Sequence, residues 1–290
     1  MTARSAFDRL AGFFERRPSR QGWVARRALG RVFPSDEVLS DQLIGRAQSR
    51  LRPDGGAADT ATVVASLADL IALDGPAALR DKSLDWLLGR VGQPGAFGEG
   101  CTAARHAHRI CEHFLGGFFS VAPPAQRAAP ATMPNGKVYR IESQARFATS
   151  VWALEVVVEG RRSHDPGVQK HLDGFSHLVI EWDRWDDMLA PDLAFGAIAA
   201  LGQAPERWRP VLESLVRIAA HHQSADGTWP RVDFFNALAG LARVDHPLIV
   251  PMLERALPGL LQRQREDGSF GNVAPDERAL VGFQVLRRLT

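Results

Sequence analysis

The sequence predicts an all-α protein built from six repeated helical hairpins, and two observations carry this prediction. First, the segment HHQSADGTWPRVDFFNALAGL at 221–241 recurs 41 residues later as the related QRQREDGSFGNVAPDERALVGF at 262–283. Second, each copy places Q-x-x-D-G-[TS]-[WF] before a small-residue helix with the pattern A-L-x-G. A unit of two helices and a turn that recurs at a fixed spacing is typical of helical repeat proteins, in which each hairpin packs on the next.

Turn markers related to the D-G pair divide most of the chain into six units of about 42 residues. An amphipathic helix precedes the turn, as the stripe of Leu253, Leu257 and Leu261 indicates for the last unit, and a helix richer in Ala and Gly follows it. This plan predicts twelve principal helices and no sheet. The markers are Asp54-Gly55, Pro94-Gly95, Asn135-Gly136, a degenerate turn within 181–202, Asp226-Gly227 and Asp267-Gly268.

The residues of the turn are predicted to have local structural roles. Gly supplies a positive φ where the first helix ends, and the preceding Asp can accept a hydrogen bond from its own backbone. Trp229 and Phe270 are expected to fill the wedge between helices, and Gln223 and Gln264 to bond carbonyls that are free at a helix end. The repeated stretch is therefore predicted to be structural rather than catalytic.

The motif Q-x-x-D-G-x-W before a small-residue helix resembles the QW repeat of squalene–hopene cyclases and related terpene cyclases, and protein prenyltransferase β-subunits have a similar repeat. The resemblance covers roughly residues 40–290. It implies an (α/α)6 toroid over residues 35–290, with six inner helices, six outer helices and a central cavity. In such a toroid the N-termini of the inner helices gather at one mouth.

Residues 1–34 are predicted to form a separate, basic N-terminal helical arm. They hold eight arginines against two carboxylates, a net charge of +6, although the whole chain carries only +2. Phe7, Leu10, Phe13 and Phe14 recur at helical spacing with arginines between them. This pattern suits a helix that lies in a membrane surface, or a helix that packs on the body with its arginines in water. No nucleic-acid motif accompanies the arm, so nucleic acid is not expected as a partner.

Several features favour the cytoplasm. No apolar run reaches the roughly 18 residues of a membrane span, and residues 1–30 lack the apolar region of a signal peptide. Cys101 and Cys111 lie ten residues apart in a predicted helix, about 15 Å, which is too far for a disulfide. We expect a cytoplasmic protein, peripheral at the inner membrane face if the arm binds lipid.

An acidic motif at the head of an inner helix is the first candidate catalytic feature. The cyclases that this chain resembles protonate an alkene or epoxide with D-x-D-D, and the best match is P-D-L-A-F-G-A at 191–197. Asp192 falls on the first Asp, but Ala194 falls on the middle Asp, which donates the proton in the family, and Phe195 on the third. We therefore expect no squalene cyclisation, and any proton donor is expected elsewhere on the cavity wall.

Three aspartates are predicted to head inner helices: Asp59, Asp192 and Asp233. For Asp59 and Asp233 an N-cap role stands beside the catalytic one, because a single Asp at a helix start commonly caps the helix. The helix dipole lowers the pKa of a carboxyl in this position. Asp192 and Asp233 are thus expected to stabilise a cation or to act as bases, unless burial overrides the dipole.

The inner helix predicted for the second unit is unusually polar. Cys101, Arg105, His108 and Glu112 are spaced 0, 4, 7 and 11, so they share one face. This face could carry acid–base chemistry, bind an anion, donate metal ligands or form a structural polar network. His108 is the preferred acid–base group because its pKa lies near neutrality. The C-x-x-C and H-E-x-x-H patterns are missing, so neither a metal nor another cofactor is expected.

Three classes of function remain open. The first is an isoprenoid enzyme, in which a hydrophobic substrate lies in the central cavity and catalysis uses Asp192, His108, Asp233 and Glu112. The second is a toroid that binds a lipid-like ligand without turnover, and the third is a carbohydrate-active α/α toroid. Continuous apolar walls favour the first two, and an open polar groove with paired carboxylates favours the third. The residues predicted to bind the substrate are Cys101, Arg105, Trp152, Trp185, Phe195 and Phe234.

Overall fold

The computed structural model describes residues 2–90, 127–183, 185 and 191–290, and these residues form twelve α-helices and one short β-hairpin. A single 3-10 turn, Glu206–Trp208, leads into the ninth helix. The helices are α1 (Ala3–Glu15), α2 (Arg20–Ala28), α3 (Ser35–Ser49), α4 (Thr60–Ala72), α5 (Ala77–Leu88), α6 (Glu142–Glu159), α7 (Pro166–Asp183), α8 (Asp192–Gly202), α9 (Arg209–His221), α10 (Phe234–Ala242), α11 (Ile249–Arg263) and α12 (Pro275–Leu289).

The even-numbered helices form the inner ring of an (α/α)6 toroid. Contacts run from α2 to α4, α6, α8, α10 and α12, and from α12 back to α2, so the ring is closed. The odd-numbered helices pack outside the ring, each against one or both of the inner helices that flank it in the sequence. Small residues allow this close approach: the Cα of Gly240 on α10 lies so near α8 that a Cβ there would be 2.4 Å from the Phe195 carbonyl oxygen. The predicted all-α toroid is confirmed.

Four of the predicted turn markers have one and the same geometry. In each, the Gly amide donates to the carbonyl three residues back, and that earlier residue's own amide donates to the carbonyl after the Gly. The Asp or Asn side chain accepts from the amide two residues on, at 2.9–3.0 Å. The φ of the Gly is positive each time: +83° at Gly55, +84° at Gly136, +81° at Gly227 and +91° at Gly268. The marker Pro94-Gly95 lies outside the described residues.

The wedge and glutamine predictions agree with the placement of these side chains. Trp229 and Phe270 are each 3% exposed, and the Trp229 indole nitrogen donates to the Ala219 carbonyl at 2.8 Å. The Gln223 amide donates to the carbonyl of Met252 on the next outer helix, at 2.9 Å. The Asp226-Gly227 turn is thereby fastened to the helical hairpin that follows it.

The N-terminal helical arm closes the ring. The amide of Gln264 donates to the Ala6 carbonyl at 2.9 Å, which is the same link to a following outer helix that Gln223 makes. Leu10 and Phe14 are fully buried and Phe13 is 2% exposed, so the apolar face of α1 lies against α12. The interpretation of this face as a membrane-binding surface is wrong in the structure, because the body of the protein already covers it. The boundary at residue 34 stays a prediction.

The prediction of no sheet is wrong at one place. Strands β1 (Ala131–Thr132) and β2 (Val138–Tyr139) pair antiparallel, with Ala131 opposite Tyr139. The Asn135-Gly136 marker is the turn of this hairpin, so a strand, not the expected amphipathic helix, precedes it. The turn chemistry is local and suits either context, which is why the sequence did not separate them. No helix in the described residues is long and apolar enough to cross a membrane.

Candidate active site

Three of the cavities that the described inner helices line adjoin one another. The acid pocket, about 100 Å³, lies between α6, α8, α10 and the hairpin. The main cavity, about 550 Å³, lies between α2, α4, α6, α10, α12 and the hairpin. The C-terminal cavity, about 560 Å³, lies near the C-terminal ends of the inner helices. Arg243 lines all three, so it stands where they meet.

Asp192 is held in the acid pocket by two donors from the hairpin. Its side chain is 2% exposed. The Tyr139 hydroxyl donates to Oδ2 at 2.7 Å, and the Lys137 Nζ lies 3.4 Å from the same oxygen. Since both donors contact Oδ2, the carboxyl group can keep a proton on Oδ1.

Burial raises the pKa of Asp192 above its ordinary value, the neighbouring Asp233 raises it further, and the bonds from Tyr139 and Lys137 only partly offset this. Of the two outcomes considered for Asp192, the structure has the one in which burial overrides the helix dipole. Burial together with the Asp192 charge also raises the pKa of Tyr139 well above its ordinary value. Tyr139 thus stays protonated and keeps donating to Asp192.

The hairpin turn is tied to the heads of the inner helices at this mouth. The Asn135 amide donates to the Asn236 side-chain oxygen at 3.0 Å, and the Asn236 amide donates to the Asp192 carbonyl at 2.7 Å. The Nε of Arg278, on α12, donates to the Asn135 carbonyl at 3.2 Å. The donors to Asp192 are therefore carried by a hairpin that is itself anchored to α8, α10 and α12.

Asp233 and Asp59 occupy N-cap positions. The Asp233 carboxylate accepts a hydrogen bond from the backbone amide of Asn236 at 3.0 Å, at the start of α10. The Asp59 carboxylate accepts from the Thr62 amide at 2.7 Å, at the start of α4. Of the two roles considered for these aspartates, this geometry is that of helix capping.

A second carboxylate, Glu155 on α6, lines the acid pocket. Its Oε2 accepts from the Arg243 guanidinium at 3.0 Å, and its side chain is 15% exposed. Burial raises the pKa of Glu155 to about 7. The positive charge of Arg243 lowers this pKa, and the negative charge of Glu159 raises it, but burial is the largest effect. Glu155 is therefore a carboxyl that gains or loses a proton near neutrality.

The predicted aromatic residues divide into two groups. Trp152 and Phe195 line the acid pocket, and Trp152 also lines the main cavity. Trp185 is 3% exposed, stacks on His222 with ring centroids 4.6 Å apart and donates to the Pro230 carbonyl at 3.0 Å. Phe234 packs under the Arg263 guanidinium on the outer helix α11. Trp185 and Phe234 thus lie in contacts between helices, and neither is among the residues that line these three cavities.

The predicted polar face of the second unit, with Cys101, Arg105, His108 and Glu112, lies outside the described residues. Its roles in catalysis and substrate binding stay predictions. Within the described part of the chain, no three His, Cys, Asp or Glu side chains are grouped so that they could hold a metal ion.

Sequence reasoning missed three residues that line the acid pocket, Tyr139, Glu155 and Arg243, and it also missed Lys137, which contacts Asp192. Tyr139 is the single tyrosine of the chain and follows a turn marker, but nothing local places it against a helix 53 residues away. The sequence does contain a signal that points to Glu155. It is an isolated charge in the apolar stretch VWALEVVV at 151–158, and a lone charge within a buried run is commonly functional or paired.

Solved structures of similar fold include the following two neighbours. A type II terpene cyclase from Scytonema, crystallised in complex with geranylgeranyl dihydroxybenzoate (substrate), superimposes with a TM-score of 0.51 at 12% identity, over 98% of this chain and 96% of that chain. A protein from Actinoplanes superimposes with a TM-score of 0.54 at 14% identity, over 97% of this chain and 88% of that one. No protein-family model and no curated protein matches the sequence. The chain thus has a terpene cyclase-like, all-α fold.

Proposed function

We propose that the protein is a terpene cyclase-like enzyme that binds a hydrophobic isoprenoid in the central cavity and isomerises or cyclises it, with Asp192 as the proton donor. The observation that carries the proposal is a buried carboxyl of raised pKa on the wall of a pocket whose other residues are mostly apolar. The apolar and aromatic part of the wall includes Met133, Val151, Trp152, Leu193 and Phe195. Such a wall favours an isoprenoid over a sugar.

The geometry suits protonation of an alkene. The proton on Oδ1 of Asp192 passes to one alkene carbon, and the other carbon becomes a carbocation. The Asp192 carboxylate that remains is stabilised by the Tyr139 hydroxyl and the Lys137 ammonium, which are both positioned at Oδ2 before the reaction. The faces of Trp152 and Tyr139, in the same pocket, can stabilise the cation.

The two cavities suit a long substrate with one polar end. The acid pocket holds only the reacting terminus, whereas the main cavity is within the range of about 300–1,000 Å³ usual for ligand pockets. The lining of the main cavity carries the ion pairs of Arg20 with Asp69 and Glu277, at 3.3 and 3.1 Å. A polar head group would face these charges, as in geranylgeranyl dihydroxybenzoate, the substrate named for the Scytonema neighbour. This compound is a suitable first probe.

The test compares Asp192→Asn with the matched variant Asp233→Asn. Both remove one carboxylate at the head of an inner helix, but Asn caps a helix about as well as Asp, so Asp233→Asn should keep its activity. Loss of a general acid typically costs about 10²–10⁴ in rate, and we expect at least a hundredfold loss of turnover in Asp192→Asn. Full turnover in Asp192→Asn, at an unchanged melting temperature, would exclude Asp192 as the donor.

A further inference from the structure

Glu155 stands one helical turn deeper in the acid pocket than Asp192. Gly196 follows Asp192 by four residues on α8, so the two positions lie on one face, separated by about one turn. A Cβ built on Gly196 would lie 3.6 Å from Oε1 of Glu155. Because Gly196 has no side chain, this carboxylate oxygen faces the open wall below Asp192.

The two oxygens of Glu155 have different surroundings. Arg243 donates to Oε2 at 3.0 Å, whereas Oε1 is the oxygen that faces Gly196. The ion pair fixes the carboxylate without occupying the oxygen on the pocket side. A substrate terminus between Asp192 and Gly196 would therefore meet an acid at one end and a carboxylate oxygen at the other.

We propose that Glu155 is the base that ends the reaction by taking a proton from the carbocation. This inference rests on the proposed function, in which Asp192 supplies the first proton. The C–H bond next to the cationic carbon breaks, its electron pair forms the new C=C bond, and the proton goes to Oε1 of Glu155. One proton enters the substrate from Asp192 and one leaves it to Glu155, so the net change is an isomerisation. Solvent then restores the protonation of both carboxyls.

Glu155 is suited to this role at neutral pH. Burial raises its pKa to about 7, so a large fraction is ionised near neutrality and can accept a proton. The charged and titratable groups around it come from each neighbouring inner helix and from the hairpin. They are Arg243 on α10, Glu159 on α6, Asp192 on α8, Glu277 on α12 and Tyr139 on β2.

A cation that mimics the intermediate tests the proposal without turnover. The probe is a tertiary amine bearing a geranylgeranyl chain, protonated throughout the range between about pH 6 and about pH 8. Because Glu155 ionises across this range, the wild-type protein should bind the amine about tenfold more tightly at the higher pH. Calorimetry measures the affinity. A wild-type protein that binds the amine equally at both pH values, or not at all, overturns the proposal.

Two variants separate Glu155 from its neighbours. In Glu155→Gln the gain in affinity with pH should disappear, while Gln keeps a hydrogen-bond acceptor for Arg243. In Glu159→Gln, which removes an exposed carboxylate one turn away on the same helix, the gain should remain. A pH dependence that survives Glu155→Gln and vanishes in Asp192→Asn would overturn the assignment of the base. Failure of the proposed function shows separately, as full turnover in Asp192→Asn.

Discussion

Arg26 and Asp36 form a buried ion pair that joins α2 to α3. Each side chain is 4% exposed, and the Arg26 Nε lies 3.1 Å from both carboxylate oxygens. The Arg26 NH1 donates to the carbonyls of Phe14 and Arg17, at 2.6 and 2.9 Å. The guanidinium thus bonds the free carbonyls at the end of α1 and the Asp36 carboxylate at the start of α3. Its removal would leave the Asp36 charge buried without this partner.

We expect Arg26→Met to lower the free energy of unfolding by about 3–5 kcal/mol, which is usual when one partner of a buried pair is removed. Burial raises the pKa of Asp36, but the bonds from Arg26 and the Phe33 amide and the Arg26 charge outweigh it, so the net pKa is lowered. The stability from this pair is present above the unfolded-state pKa and is lost as pH falls through the folded one. Urea denaturation at neutral and acidic pH measures both effects. An unchanged midpoint in Arg26→Met would show that the pair contributes nothing.

At the scale of elements, the D-G turn works by bringing the backbone of one hairpin onto the next. Gly227 has φ +81°, and a Cβ there would lie 2.1 Å from the Arg255 carbonyl oxygen on α11. Gly30 also has a positive φ, +68°, but its Cβ position has nothing within 4 Å. The two positions therefore separate backbone strain from the packing of the turn against its neighbour.

We expect Gly30→Ala to destabilise the protein by about 1 kcal/mol, the cost of a positive φ for a residue with a Cβ. Gly227→Ala should cost more, because α11 must also move away and lose contacts. Thermal unfolding of the two variants under identical conditions compares them. Equal melting temperatures would show that the close approach of the turn to α11 has no energetic importance.

At the scale of the whole molecule, the sequence predicted the ring better than the pocket. The D-G turn is specified by two adjacent residues, since Gly permits the positive φ and Asp or Asn accepts from the amide two residues on, so its spacing predicted four real turns. The acid pocket joins residues that are far apart in the chain. Tyr139 reaches Asp192 only because the ring places β2 against the head of α8.

The motif comparison left the acidity of Asp192 open for a related reason. In the stretch 191–197, Ala194 occupies the position of the Asp that donates the proton in the cyclases. The helix dipole then predicted a lowered pKa for Asp192, unless burial overrides the dipole. The pKa of Asp192 depends instead on burial, which the folded ring sets and no short motif records. The sequence thus placed Asp192 at the head of an inner helix, as the structure does, but it could not supply the burial that raises its pKa.

Turnover in D2O tests the central claim most directly, because a proton from Asp192 exchanges with solvent before it enters the substrate. With geranylgeranyl dihydroxybenzoate as the probe, we expect the product to carry one deuterium on carbon, at the alkene carbon that was protonated. Asp233→Asn should give the same labelled product, and Asp192→Asn should give at least a hundredfold less of it. A product formed without deuterium, or labelled product formed at the full rate by Asp192→Asn, would contradict the account.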